Sequence, residues 1–353
     1  MLACMRRLLL LALSIAAAVA SASTAQAQYG DAITVSRALV DVRVTDSHGN
    51  AIPGLGAADF DVKIDGKPAV VESVTWIDAD APRVFEDDTA DEAAGEIDAP
   101  FILEPRGRLL VFFIQTDFAR NRVRLQGQMN FRHYAEDLIE GLGPNDRVAV
   151  FSFDSHLKFR SDFTSDKEAI TNAVRQSVRI DFPPPPPTVE SPSLAKRLDP
   201  KAMRRAASSE TGLLLVANAL SAIPGPKSLL LMGWGLGVRQ GNAVSMRREW
   251  TAARRALDAS RTSIFSLDTT YADYHDLEIG LQAAAKQTGG FYAKTHEFAR
   301  GAIERLQRTL AGHYELELRP AETLKPGSRT LVVRVKNQRG LDVLAPSSII
   351  IRN

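Results

Sequence analysis

Four short, nearly unbroken apolar runs, RLLVFFI from residue 108, DRVAVFSF from 146, KSLLLM from 227 and TSIFSL from 262, are separated by stretches of helical periodicity. A strand with no polar alternation has no face to give to water, so it must be covered on both sides. Helices predicted near 123–141, 166–178, 211–222, 245–261, 275–288 and 298–311 supply that cover. Strands alternating with helices in this way predict an α/β fold, a doubly wound and mainly parallel sheet. Local signals agree: Ser165 to Glu168 reads as a capping box, and Gly289-Gly290 as a helix stop.

The flanks have a different period. The segment ALVDVRVTD alternates, and FDVKIDGKPAVVESVTWI reads as a hairpin around Asp65-Gly66, a pair that tolerates the positive φ angles of a tight turn. After His313 the alternation returns in HYELELRP, SRTLVVRVKN and SSIIIRN. Neither block alone makes a comfortable core, so the expectation is one β-sandwich-like domain built from residues 28–78 and 313–353. The α/β domain, 105–312, would be inserted between its halves.

Residues 1–27 carry Arg6 and Arg7, then a short apolar run, then Ala25-Gln26-Ala27, the order of a secretory signal peptide. Export is therefore expected, to a periplasm or the extracellular space, with no membrane span. Cys4 is the chain's one cysteine and lies in that leader, so thiol catalysis, thiolate metal sites and disulfides drop out together. A formal charge of +1 argues against a nucleic-acid surface. Residues 79–104 are acidic and poor in large apolar side chains, the composition of a linker. Residues 180–208 hold five consecutive prolines, Pro183 to Pro187, and read as a surface insertion.

Three stretches in order, VDVRVTDSHGNAIPGLGAADFDVKIDGKPAVVESVTW, DRVAVFSFDSHLKFRSDFTSDKEAITNAV and QTGGFYAKTHEFARGAIERLQRTLAGHYELELRP, resemble the von Willebrand factor A domain, in its bacterial exported VWFA-related subgroup. The resemblance implies a sheet whose C-terminal strand ends bind a protein partner, often through a divalent ion held by Asp-x-Ser-x-Ser, a Thr and a later Asp-Gly. In this chain the first motif falls on Gln115, Asp117 and Ala119, the Thr position on Leu213 or Leu214, and the Asp-Gly on Trp234-Gly235. Hard cations need oxygen ligands and carboxylate charge, so the resemblance here implies a degenerate site with no ion.

Two expectations follow for function. The first is an exported adhesion or scaffold module whose protein-binding face is Gln115, Asp117, Trp234, Leu236 and Asp268, with Trp234 as a plug or an anchor and Leu236 and Val238 as an apolar rim. It needs no cofactor. The second is a magnesium or calcium site, binding or hydrolytic, rebuilt from Asp117, Asp154 and Asp268, with Asp273, His275 and Asp276 in the next loop. The chain has no HExxH pair, GxSxG turn or Walker loop, so no enzyme is expected.

Overall fold

The computed structural model describes residues 37–79, 107–116, 122–178, 185, 192–241, 243–296, 298–321, 323–336 and 339–351. The leader 1–27 and nearly all of the acidic stretch 79–104 lie outside these residues, as do Asp117, Ala119 and most of the polyproline run.

Six strands form the central sheet: β5 (Leu109–Gln115), β6 (Arg147–Phe153), β7 (Leu157–Thr164), β8 (Lys227–Gly233), β11 (Thr262–Asp268) and β12 (Tyr292–Lys294). Their order is β12-β11-β8-β5-β6-β7, parallel except for β7. Helices α1 (Arg122–Glu140), α2 (Lys167–Gln176) and α7 (Ala299–Thr309) cover one face. On the other lie α4 (Ser209–Leu220), α5 (Glu249–Ala259) and α6 (Glu278–Thr288). Within β5, Leu110, Phe112 and Ile114 join the first core while Val111 and Phe113 join the second. That split is why the run is apolar throughout rather than alternating.

Local capping follows the sequence with one shift. Gly289 ends α6 at φ 80°, the left-handed conformation a glycine adopts without penalty. The cap of α2, however, is Asp166 rather than Ser165, and its carboxylate accepts from the Glu168 and Ala169 amides. A carboxylate there satisfies two orphan donors and also sits favourably at the positive end of the helix dipole.

The return from the proline-rich insertion corrects the reading of 180–208 as surface decoration. Leu194, Met203 and Ala206 are buried in the core, the last two at and after α3 (Pro200–Arg205). The nearly buried carboxylate of Asp162 holds this segment by accepting from the Ser193 hydroxyl and the Leu194 amide.

The flanking strands form two four-stranded antiparallel sheets. One has the order β15 (Asp342–Leu344), β1 (Ala38–Thr45), β13 (Gly312–Arg319), β4 (Val70–Asp78). The other is β16 (Ser348–Ile351), β14 (Gly327–Val335), β2 (Phe60–Ile64), β3 (Lys67–Pro68). Each draws strands from both sides of the α/β part. Alternating residues such as Val40, Val42, Val62, Ile64, Leu316 and Leu318 fill the space they share. At its centre Tyr314 is fully buried, and its hydroxyl donates to the Ile52 carbonyl at 2.7 Å while accepting from the Leu55 amide at 3.0 Å. The turn between β2 and β3 takes φ 48° at Asp65 and 78° at Gly66, as a two-residue hairpin requires.

The joint between sandwich and central sheet lies at the N-terminal ends of β8 and β11. Arg261 donates to both carboxylate oxygens of Asp41 and to Glu315. Arg43, 5% exposed, reaches Ser228 at 3.2 Å and Ser263 at 3.4 Å. Burial pushes the Arg43 guanidinium down to about 10, opposed by the Asp41 charge, so it stays protonated at neutral pH. Arg261, two residues beyond the end of α5, is thus part of an ionic joint. The C-terminal ends of the parallel strands point the other way, clear of the sandwich.

Candidate functional site

The central sheet, numbered by its own strands, runs 3-2-1-4-5-6, and the order reverses between β5 and β8. In open α/β sheets the crevice beyond the strand ends at that reversal is the usual ligand position. Gln115 ends β5 there, and Gly233 and Trp234 end β8. Gln115 is fully buried. Its amide nitrogen donates to the Ser209 hydroxyl at 2.8 Å and the Gly235 carbonyl at 2.7 Å. Its carbonyl accepts from the Trp234 and Gly235 amides at 2.8 and 3.1 Å. Those four bonds use both donors and both acceptor lone pairs of a primary amide.

A divalent ion needs oxygens with free lone pairs and negative charge around them. Gln115 has neither, Trp234 offers no ligand atom, and Leu213 is buried in the core. The residues at this position therefore do not fit the ion that the resemblance implies. The hydroxyl that does meet Gln115 is Ser209, in the first turn of α4, where Ser208 caps the helix through the Thr211 amide. Neither serine stood out in the sequence, although Ser-Ser-Glu before an apolar run is a helix-start signal.

Neighbouring groups lock the loop after β8. Glu210, 2% exposed, accepts from the Gly237 amide at 2.6 Å, with the Arg247 guanidinium 3.7 Å from its other oxygen. Trp234 is half-buried beneath Arg124, whose Cζ lies over the ring. Leu236 is only 2% exposed and belongs to the core. The apolar rim expected from Leu236 is therefore not at the surface, because Gly237 takes φ 87° and turns the chain so that Leu236 points inward.

Of the three acids expected to rebuild a metal site, the two that are described, Asp154 and Asp268, do not converge. Asp117 lies outside the described residues. Asp154 follows β6 and Asp268 ends β11, three strand positions apart, which at ~4.8 Å per step is roughly 14 Å. Asp154 is instead taken up locally by Lys158 and by the amides of Ser155 and His156. Burial pushes its carboxyl up, but these bonds and the Lys158 charge outweigh that and lower it.

Asp268 gathers different partners. Its Oδ2 lies 2.8 Å from His275 Nε2 and accepts from the Tyr292 hydroxyl at 2.8 Å, while Oδ1 accepts from the Thr270 amide. Ligand atoms of Asp268, His275 and Glu278 all fall within 4.8 Å of one another. Burial raises the Asp268 carboxyl, yet the His275 contact and the amide and phenol bonds carry it below its usual value. Burial, and after it the Asp268 and Glu278 charges, push the Tyr292 hydroxyl far upward, so it remains a donor. Lys294 Nζ lies 2.9 Å from Glu278 Oε2. Glu278, Tyr292 and Lys294 were not singled out from sequence, since β12 is a short strand whose acid partners come from another element.

The α/β part is a doubly wound sheet, parallel but for one edge strand, the fold class expected of a von Willebrand A-like chain. No family profile and no curated protein matches the chain. Among solved structures, the von Willebrand factor type A protein from Catenulispora acidiphila is 10% identical, over 90% of this chain and 74% of that one, at TM-score 0.40. The conserved hypothetical protein BatB from Bacteroides thetaiotaomicron is 11% identical, over 58% and 97%, at TM-score 0.40. The vWF domain of the type V pili tip protein Mfa5 from Porphyromonas gingivalis is 13% identical, over 57% and 94%, at TM-score 0.37. None of these likenesses transfers a function to the chain.

On the von Willebrand A-like domain, the exposed apolar groups of the C-terminal strand ends lie in the loop after β11 and at the starts of α1 and α7. Tyr274 is 63% exposed, Tyr271 47% and Phe298 73%, with Val123 at 37%. The Tyr271 amide donates to the Val123 carbonyl, and its ring meets His296 edge-on at 5.7 Å. Helix α1 comes this close because Gly127 has no side chain: a Cβ there would lie 1.7 Å from the Thr269 carbonyl oxygen. Arg239 braces the far side of the loop through Asp276 at 2.9 Å. Among the described residues, no helix is long and apolar enough to cross a membrane.

Proposed function

We propose that this chain is an exported, non-enzymatic protein-binding module of adhesion or scaffold type, acting through the C-terminal strand ends of its von Willebrand A-like sheet. No ion at the Gln115 position takes part. What supports this is the exposure of Tyr271, Tyr274 and Phe298 together on that edge, beside a switch-point crevice already filled by Gln115. Aromatic side chains bury large area at low entropic cost and dominate binding hot spots. Trp234 and Gln115 then act as the floor of the recognition surface rather than as contacts. The sandwich holds the opposite end of the sheet and leaves this edge facing outward.

Capture of envelope proteins on immobilised mature chain, with EDTA present, tests the proposal. Once a captured partner is isolated, the Tyr274→Ala, Phe298→Ala double variant should bind it at least ~30-fold more weakly, the equivalent of one hot-spot residue of about 2 kcal/mol. Equal affinity of the double variant, or a loss of capture in EDTA that magnesium or calcium restores and zinc does not, would contradict it.

A further inference from the structure

We infer that Asp268, His275 and Glu278 form a transition-metal site, with zinc as the ion its chemistry suits, at a place distinct from the crevice that Gln115 fills. The three residues come from the end of β11, the following loop and the first turn of α6, so their convergence is made by the fold rather than by sequence spacing. One imidazole nitrogen and two carboxylates are ligands that zinc accepts readily, at ~2.0–2.2 Å each, with a fourth position left for water. Tetrahedral geometry at those lengths sets ligand atoms ~3.3 Å apart. His275 Nε2 and Asp268 Oδ2 lie 2.8 Å apart and the whole set within 4.8 Å, which brackets that spacing.

Two further features point to a cation. Glu278 has a side chain only 9% exposed, and its buried Oε2 is met by an ion pair rather than a directed hydrogen bond, because Lys294 Nζ donates to the Asp273 carbonyl. The Lys294 ammonium, 2.9 Å away and itself 33% exposed, supplies charge without a directed bond. Two deeply buried carboxylates thus lie side by side, Glu278 facing one lysine and Asp268 one imidazole. Buried charge of that kind is costly unless it is fully paired or holds a metal. Tyr292 completes the arrangement: its hydroxyl donates to Asp268 Oδ2 and so fixes the orientation of that carboxylate. A bound ion would tie the ends of the 269–277 loop together and fix Tyr271 and Tyr274 between them. The inference stands whether or not those tyrosines bind a partner.

The test is zinc binding by the purified mature chain, read by titration calorimetry and by metal content after dialysis, with cobalt absorption reporting the coordination number. One equivalent should bind to the wild type. His275→Ala and Glu278→Gln should each lose stoichiometric binding, and the near-isosteric Glu278→Gln keeps the site testable if the alanine variant folds poorly. Tyr292→Phe should weaken binding by about tenfold. His296→Ala, whose ring faces Asp273 instead, should bind as the wild type does. Absence of stoichiometric zinc in the wild type, or its retention by Glu278→Gln, overturns the site.

Discussion

The guanidinium carbon of Arg124 lies 3.4 Å from the centroid of the Trp234 ring, so the indole is a packed platform under a cation. The stack is worth ~0.5–2 kcal/mol, depending on how dry it is. The buried Trp234 Nε1 has no hydrogen-bond partner, a cost that offsets part of this gain. Trp234→Phe keeps a ring face and removes the orphan donor, so its stability should stay within about 1 kcal/mol of wild type. Trp234→Ala should lose about 2–3 kcal/mol by chemical denaturation. A phenylalanine variant as unstable as the alanine one would mean that the indole nitrogen has a role in folding.

Gln115 makes a sharper case, because its replacement strands four groups at once. Gln115→Met approximates the volume but leaves the Trp234 and Gly235 amides, the Gly235 carbonyl and the Ser209 hydroxyl without this partner. A loss of about 2–4 kcal/mol in urea unfolding, with an unchanged m value, is expected. A loss below ~1 kcal/mol would show that water or a loop shift replaces the amide.

At the joint, Asp41→Ala removes the partner of Arg261 and leaves that guanidinium with Glu315 alone. Asp41 is 8% exposed and Arg261 22%, so the penalty should fall near the lower end of the buried-pair range, about 3 kcal/mol. Because the pair bridges sandwich and sheet, the variant's unfolding should also separate into two transitions by calorimetry. A single sharp transition with unchanged midpoint would contradict both expectations.

Asp258, beside the sandwich strand β16, carries a pH signature. Burial pushes its carboxyl up to about 6, against the Ser348 hydroxyl bond and the Arg254 charge. Its unfolded value is ~3.9, so between these values the folded chain holds a proton that the unfolded chain releases. Stability therefore falls as pH rises through that window, and the cost is complete above about 6. Asp258→Asn keeps an acceptor for Ser348 and removes the charge. Its gain in melting temperature should be largest near pH ~7.5 and vanish toward pH ~4; a gain constant across that range would sink the assignment.

Gly127→Ala tests the close approach of α1 to the aromatic loop. The added methyl would meet the Thr269 carbonyl oxygen and the Tyr271 amide. Overpacking against backbone costs about 1–3 kcal/mol, and exchange of the Tyr271 amide should quicken markedly if the helix backs away. Unaltered protection at Tyr271 would show that the strain is absorbed elsewhere.

The central sheet was legible because a strand buried on both faces leaves a compositional mark, and RLLVFFI or KSLLLM carries it without help from its neighbours. Helix α5 was legible by its period instead, with Trp250, Ala253 and Leu257 spaced three and four apart as one buried stripe. Side-chain direction in irregular backbone was harder. Leu236 looked exposed among glycines, but positive φ at Gly237 reverses the chain and buries it. Asp154 and Asp268 looked equivalent as acids after strands, and only the strand order separates them. Glu278 and Lys294 were invisible as partners because their pairing depends on the register of β12 beside β11.

Strand β1 pairs with β13 and β15, so Ala38 sits opposite Leu318 across the whole inserted domain. A chain emerging from its N-terminus must therefore carry half a sandwich, with open edges, until the domain behind it has been made and folded. Pairing over such a span is slow and exposes unpaired strands to other chains. Folding of the central sheet brings residues 38–45 and 312–319 within reach and shortens that search. The inserted domain is in this sense the clasp that lets its own pedestal close.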